Sequence, residues 1–193
     1  MAMPAVHRRW TAAEVRELQD ESRAWPRYEL LDGELLVTPG PGFSHQLAVT
    51  ELVVLLRDYV DQFSVGCALT SPSDIELRQE TIMQPDVFVC PIPTGRSPKD
   101  MSWRDVESLI LAVEVISPSS VRTDRTRKRD FYLANGVAEY WVVDLDARQV
   151  ERSLPGSVTP IIEKTALEWR PAGAASSLVI DLKQLFSRVS PPD

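Results

Sequence analysis

One stretch of the sequence constrains the fold more than any other: an apolar run at residues 109–116, a helical pattern and a second apolar run. The first run, LILAVEVI, is apolar at almost every position, as expected for a central strand covered on both faces. A Ser-Pro pair ends it, residues 123–135 predict a helix with a glycine just beyond it, and residues 139–144 predict another strand. A strand, a helix and a strand in this order form a right-handed crossover between parallel strands.

Further helices and strands are predicted around this crossover. A Thr-x-x-Glu capping box opens a surface helix over residues 11–24, and Asp-Gly between two apolar runs predicts a β-hairpin over residues 28–39. Apolar residues at helical spacing predict a long helix over residues 44–63, with its serine as the N-cap. Short strands are predicted at residues 67–69 and 75–77 and from about residue 86 to 90. The remainder after residue 144, to residue 186, predicts short strands and a final helical turn.

Length and composition favour one domain of mixed α/β class. The chain has 193 residues, of which 44% are hydrophobic and 25% charged, which is ordinary for a globular protein with one sizeable core. We expect a mixed central β-sheet flanked by helices, with an added N-terminal helix and β-hairpin. Within residues 1–193 we distinguish an N-terminal helical segment (1–26), a core (27–150) and C-terminal strands with a short helix (151–193).

The sequence also excludes several classes of protein. A membrane-spanning helix needs about 20 apolar residues, and the most apolar stretch here is short and contains a glutamate. The first ten residues lack the apolar run of a secretory signal. Cys67 and Cys90 are too few for a disulfide framework and lack metal-ligand spacing. We therefore expect a cytoplasmic protein that has no membrane partner.

Glu114 is the residue that fits its surroundings least. A lone carboxylate in a strand buried on both sides is costly unless it is paired, protonated or bound to a cation. Asp86 follows Gln-Pro near the start of another strand, and two carboxylates that face one pocket repel each other unless a cation lies between them. Magnesium takes oxygen ligands from one or two carboxylates and leaves positions for water and phosphate. The alternatives are a structural ion pair for Glu114 and a turn role for Asp86.

Lys128 is the second charged residue in an apolar pattern. By helical spacing it lies on the face of its helix that carries Phe131 and Tyr132, which is the face that packs on the sheet. An amine that points from this face toward a strand with a buried glutamate indicates a pairing with Glu114.

Four segments of the chain resemble a known family. RYELLDGELLVTPGPGFSHQ, QPDVFV, LAVEVISPSS and DRTRKRDFYLANGVAEYWVVD are similar to the Uma-two family of restriction endonuclease-like proteins, within the PD-(D/E)XK nuclease superfamily. The similarity runs from about residue 27 to past residue 144. It implies a restriction-endonuclease-like core and an endonuclease that hydrolyses DNA phosphodiester bonds with Mg²⁺ or Mn²⁺.

The resemblance assigns roles where residues match. The metal-binding aspartate of the superfamily falls on Asp86 and its second acidic residue on Glu114, helped by the backbone carbonyl of Val115. The lysine that normally stands two residues after the acidic residue would fall on Ile116, so this sequence departs from the pattern there. The family supplies the lysine from the next helix, where Lys128 matches.

Two further residues, Glu34 and His45, match the family with weaker physical support. Glu34 either adds a carboxylate to the metal site or is an ordinary exposed strand residue. His45, at the start of the long helix, either contacts phosphate or a water molecule or lies in a solvent-exposed capping turn. Tyr132, one turn beyond Lys128, is a candidate phosphate contact, but it is better explained as a packing residue with its hydroxyl at the pocket edge.

The charge of the chain argues against a polyanion as partner, since 28 acidic residues outnumber 21 basic ones and the net charge is -7. Residues 122–130, however, contain five basic residues and two aspartates, a local excess of three positive charges. Arg125 and Arg129 are therefore candidate phosphate contacts, with a solvated helix face as the alternative.

Two rival functions stay open. The first is a catalytically inactive nuclease-fold protein that acts as a DNA-binding or protein-interaction module, because the displaced lysine and the acidic charge are also what degeneration produces. The second is a metal-dependent phosphodiesterase for something smaller than DNA. If the substrate is duplex DNA, cutting both strands with one site per chain favours a homodimer.

Overall fold

The computed structural model describes residues 8–22, 25–92 and 95–190. In chain order its elements are α1 (Ala12–Glu21), β1 (Arg27–Leu31), β2 (Glu34–Thr38), α2 (Phe43–Phe63), β3 (Cys67–Thr70), β4 (Val87–Cys90), β5 (Leu111–Val115), α3 (Val121–Thr123), a π-helical turn (Asp124–Lys128), α4 (Arg129–Ala134), β6 (Glu139–Asp144), β7 (Gln149–Ser153), β8 (Ile161–Glu163), β9 (Ala166–Trp169), β10 (Leu178–Asp181) and α5 (Leu182–Val189). Two short 3₁₀ turns, Pro98–Asp100 and Trp103–Asp105, precede β5.

A six-stranded sheet with the order β3-β4-β5-β6-β7-β8 forms the centre of the molecule. β5 and β6 are parallel, and the other neighbouring pairs of this sheet are antiparallel. The expected parallel crossover is confirmed, because the helical segment from α3 to α4 connects β5 to β6. The sheet is therefore mixed, as the sequence predicts for this fold class.

Both faces of the sheet are covered, and β5 lies between two hydrophobic clusters. Leu111, Val113 and Val115 pack on the side of α2 and α5, in the cluster that contains Trp141 and Trp169. Ala112 faces the opposite cluster, where α4 contributes aromatic side chains. All five residues of β5 are buried, which confirms the prediction of a strand covered on both faces. Glu114 follows the alternation and lies on the side of α4.

The hairpin and the N-terminal helix form a second layer beside the sheet. The Thr11–Glu14 capping box forms as predicted, and α1 begins at Ala12. Asp32 and Gly33 adopt positive φ angles of 55° and 79°, the backbone that a tight hairpin turn requires and that favours Asp-Gly. Two backbone hydrogen bonds between Leu30 and Ile82 connect the hairpin to the segment that precedes β4.

The structure corrects three predicted elements. α2 begins at Phe43, one residue early, with Gly42 and not Ser44 at its N-cap. Residues 75–77 do not form a strand. Ile75 makes a single bridge to Met83, because Ile82, the residue before Met83, is bonded to Leu30 of the hairpin instead. The helix predicted over residues 123–135 contains a π-helical turn, which apolar spacing cannot reveal. Residues 23 and 24, included in the first predicted helix, lie outside the described residues.

Within the described ranges, no helix has both the length and the apolar character needed to cross a bilayer.

Gly66, between α2 and β3, tests how tightly the sheet packs at this end. A Cβ at Gly66 would lie 2.7 Å from the backbone oxygen of Cys90, so Gly66→Ala forces the backbone to shift. We expect a loss of about 1–3 kcal/mol in the free energy of unfolding, measured by urea denaturation. Gly40→Ala is the matched control, since its Cβ would make an ordinary 3.5 Å contact with Trp25. Equal stability of the two variants would contradict the packing described here.

Candidate active site

Asp86 and Glu114 come together because of the register between β4 and β5. These antiparallel strands pair Val87 with Val113, so continuing by one residue places Asp86 opposite Glu114. Opposite residues in an antiparallel pair project to the same face of the sheet. Both side chains are buried, on the side of the sheet that α4 covers. The sequence prediction that these two carboxylates share one site therefore agrees with the backbone geometry.

Asp86 is held by three donors. Its carboxylate accepts hydrogen bonds from the Arg27 guanidinium at 2.7 Å and from the backbone N–H of Val115 at 3.0 Å. The Nε2 of His45 lies 3.1 Å from Asp86 Oδ2, the oxygen that also accepts the Val115 hydrogen bond. Burial alone raises the pKa of Asp86, but the hydrogen bonds and charges of His45 and Arg27 outweigh it and lower the pKa to about 2. Asp86 is therefore an ionised carboxylate at neutral pH.

Lys128 lies at the centre of a cluster of carboxylates. Its Nζ is 2.7 Å from Glu29 Oε2, 3.0 Å from Glu114 Oε1 and 3.7 Å from Asp124 Oδ1. Burial lowers the pKa of Lys128, but the three neighbouring carboxylates outweigh burial and raise its pKa well above the ordinary value. The amine is therefore a permanent cation, and the predicted pairing of Lys128 with Glu114 is present.

The π-helical turn determines which side chains of the helical segment face this cluster. Single π turns are widened helical turns that occur frequently at functional sites. Here the turn begins with Asp124 and ends with Lys128, and both of these side chains are buried. One turn further on, the Tyr132 hydroxyl lies 3.5 Å from Glu114, and its ring stacks on Tyr140 at a centroid distance of 5.3 Å. Tyr132 is thus fully buried as a packing residue.

The cluster contains more negative than positive charge. Glu29, Asp86, Glu114 and Asp124 carry four negative charges when ionised, whereas Lys128 and Arg27 carry two positive charges. Burial raises the pKa of Glu114 well above the ordinary value despite Lys128, and burial likewise raises the pKa of Asp124. Asp124 Oδ1 is buried without a hydrogen-bond partner. If all four carboxylates were ionised, their excess charge would equal that of one divalent cation; the raised pKa values of Glu114 and Asp124 indicate that the cation-free cluster lowers this excess by keeping protons.

The donor set fits a magnesium or manganese ion bound by few protein ligands. Across the described part of the chain, no three His, Cys, Asp or Glu side chains are arranged to hold a metal ion together. A pair of carboxylates such as Asp86 and Glu114 is nevertheless enough for Mg²⁺, which keeps several waters and completes its shell with substrate oxygens. The residues therefore suit an ion whose coordination shell is completed by the substrate, and not an ion that is enclosed by protein ligands alone.

Two cavities lie next to the cluster. The larger, about 680 Å³, is lined by Arg27 and His45, by the loop at residues 39–42 and by residues 116–119. The smaller, about 150 Å³, is lined by Glu29, Asp124 and Lys128, among others. Thr38 and Ser119 line both, so the two cavities are neighbours. A substrate in the larger cavity would meet the residues that hold Asp86.

The structure does not bring Glu34 to this cluster. Glu34 lies at the turn end of the hairpin, is 63% exposed and pairs with Arg127 at 2.8 Å. Glu29, which sequence reasoning missed, takes the place that Glu34 was expected to fill. In β1 the alternation puts Arg27, Glu29 and Leu31 on one face. A glutamate flanked by apolar neighbours in RYELL was the available signal, but only the docking of the hairpin decides between the two glutamates.

The two arginines expected to contact phosphate are already paired in the structure. Arg125 binds Asp144 and Glu151, each at 2.6 Å, and Arg129 lies 3.1 Å from its neighbour Asp130. The acidic partners of Arg125 come from β6 and β7, far away in the sequence.

His45, by contrast, lies in the site beside Asp86, although its Nδ1 is buried without a hydrogen-bond partner.

The mixed central sheet flanked by helices is a restriction-endonuclease-like fold. A solved structure described as a "putative nuclease belonging to DUF820", from Anabaena variabilis, superposes with a TM-score of 0.70 at 22% identity and covers 91% of this chain and 98% of that chain. The sequence profile of the family described as "Uma2: Putative restriction endonuclease" matches residues 12–173. This chain belongs to the Uma2 family. A search of curated proteins finds no match.

Replacing Lys128 tests whether its amine holds the carboxylates together. Lys128→Met leaves three buried carboxylates without their common partner, so we expect a loss of about 3–5 kcal/mol in the free energy of unfolding. Thermal and urea denaturation without divalent cations measure this loss. Lys164→Met, at an exposed position, is the control and should change stability by no more than about 0.5 kcal/mol. If Lys128→Met is as stable as the control, the buried cluster is not ionised as described.

Proposed function

We propose that this protein is a metal-dependent endonuclease that hydrolyses phosphodiester bonds in DNA. The observation that carries the proposal is the buried cluster of four carboxylates around Lys128 and Arg27, which could take up the charge of a divalent ion by losing its protons. The cluster lies beside a cavity lined by Arg27 and His45. Membership of the Uma2 family supports the class of reaction.

Asp86 and Glu114 would hold Mg²⁺ or Mn²⁺, with the backbone carbonyl of Val115 as a further oxygen ligand. When bound, such an ion supplies Lewis-acid polarisation of a phosphoryl oxygen and lowers the pKa of a bound water. The hydrogen bond from the Val115 N–H to Asp86 supports this role, because it puts the Val115 backbone next to that carboxylate. The oxygen donors would then come from two adjacent strands.

The remaining residues of the site would orient the reacting groups and stabilise negative charge. Arg27 and His45 keep Asp86 ionised and line the cavity, so they would also face the phosphate of a bound strand. Lys128 would stabilise the negative charge that develops on the phosphate or orient the attacking water. Its three carboxylate partners keep the amine protonated and fix its position, which are both requirements of that role.

Two observations favour other functions. Arg27 already neutralises Asp86, and Lys128 already neutralises Glu114 in part, an arrangement that also suits a catalytically inactive module that binds DNA or protein. The size of the larger cavity would also accept a phosphodiester smaller than DNA. Metal binding distinguishes the first alternative from a nuclease, and a panel of substrates distinguishes the second.

Removing the charge of Glu114 tests the metal site without any substrate. Glu114→Gln lowers the excess of buried negative charge, so we expect the metal-free protein to be more stable by about 1 kcal/mol, or about 2–4 °C in Tm. Wild type should gain stability from MnCl₂ and the variant should gain none, because a ligand that binds only the folded protein stabilises it. Glu34→Gln is the matched control and should respond to MnCl₂ as wild type does. Equal Mn²⁺ stabilisation of all three proteins would contradict a site at Glu114.

Cleavage assays test the reaction itself. With Mg²⁺ or Mn²⁺, and with both plasmid DNA and single-stranded DNA as substrates, we expect Asp86→Asn, Glu114→Gln and Lys128→Met each to lower the rate of wild-type cleavage at least about a hundredfold, because each removes a group that acts on the phosphate or its metal. Asp58→Asn, at an exposed position of α2, should retain full activity. The assay is restricted to variants that circular dichroism shows to be folded. Cleavage that is the same in all variants, or independent of divalent cations, would refute the proposal.

A further inference from the structure

The basic stretch at residues 122–130 offers little free charge to a nucleic acid. Arg125 and Arg127 form ion pairs with acidic residues, Arg129 pairs with its neighbour, and Lys128 is buried; of the five basic residues, Arg122 alone is exposed and has no ion-pair partner among the described residues. DNA binding through phosphates depends on cations that release counterions from the polyanion. A chain with a net charge of -7 and few free cations near the site therefore needs another source of affinity.

Exposed aromatic residues provide such a source beside the larger cavity. Trp25 and Phe43, which we call the aromatic rim, flank the loop at residues 39–42 that lines the cavity. Cγ of Trp25 lies 3.5 Å from the position that a Cβ on Gly40 would occupy, and the Arg27 guanidinium lies 5.1 Å from the Trp25 ring centroid. Trp25 is 41% exposed and Phe43 is 85% exposed, although burial of either side chain would be favourable.

We propose that the aromatic rim binds unpaired nucleotides, so that the substrate is single-stranded DNA or a single-stranded part of a branched DNA. Bases of such a strand stack on Trp25 and Phe43, while its phosphate enters the cavity between Arg27 and His45 and reaches Asp86. This inference rests on the proposed function, because it names the form of DNA that the same site accepts.

Three features favour an unpaired strand over a duplex. Aromatic side chains stack on base faces, and those faces are accessible only where bases are unpaired and splayed apart. A cavity of about 680 Å³ is of the size that encloses one small organic molecule, which suits a nucleotide and not a stack of base pairs. Stacking also supplies affinity of about 1–3 kcal/mol per base without cations, which suits an acidic protein.

A binding experiment without divalent cations tests this inference separately from cleavage. The full chain is titrated in EDTA against a fluorescently labelled single strand of about 20 nucleotides and against the matched duplex. We expect at least about tenfold tighter binding of the single strand. Trp25→Ala and Phe43→Ala should each weaken single-strand binding about tenfold and leave duplex binding unchanged.

Conservative variants and a distant control separate stacking from a structural effect. Trp25→Phe and Phe43→Tyr keep an aromatic face and should retain most of the single-strand affinity, and Val179→Ala, on β10, should retain all of it. Duplex binding as tight as single-strand binding, or Ala variants that bind like wild type, would overturn the inference. Single-strand preference in a protein that cleaves nothing with Mn²⁺ would uphold the inference and refute the proposed hydrolysis.

Discussion

The contact between the Lys128 amine and its three carboxylates is the interaction on which the site depends. Glu29 comes from the hairpin, Glu114 from the central strand, and Asp124 from the same helical segment as the lysine. Buried charges are tolerated only when partners satisfy them, so this cluster fixes how the hairpin and the helical segment dock on β5. The same three contacts keep the amine protonated and hold it in position. Structural and chemical roles are thus inseparable at Lys128.

The central part of the fold was predictable because its signals are local. An apolar strand, a helical stripe and a second apolar strand specify the crossover, and a glutamate and a lysine in those patterns are conspicuous because they violate them. Asp86 and Glu114 also agree with a simple register between two strands. The choice between Glu29 and Glu34 was not predictable, because both lie in one hairpin and only its packing buries one of them.

Arg125 shows a second limit of sequence reasoning. A cluster of arginines on a predicted helix favours phosphate contacts, but the acids that bind Arg125 lie on β6 and β7, 19 and 26 residues away. No spacing rule connects residues that are brought together only by the parallel crossover and the strand that follows it. The π-helical turn is equally hidden, since it changes which residues share a face without changing the composition of the helix. Counting charges along the chain therefore overestimated the free positive charge near the site.

The distribution of charge narrows the kinds of DNA that this site can use. In the described region the carboxylates of the cluster outnumber its cations, up to an excess of two negative charges when Glu114 and Asp124 lose their protons, so without a cation this excess would repel a phosphate at the point proposed for cleavage. A divalent ion would remove that repulsion locally, yet it would add nothing to contacts with distant phosphates, which a duplex-binding protein obtains from many exposed cations. Affinity must then come from groups close to the cavity, and the exposed side chains next to its loop at residues 39–42 include Trp25 and Phe43. A strand held by a few stacked bases also needs only one active site, so a homodimer is required only if both strands of a duplex are cut.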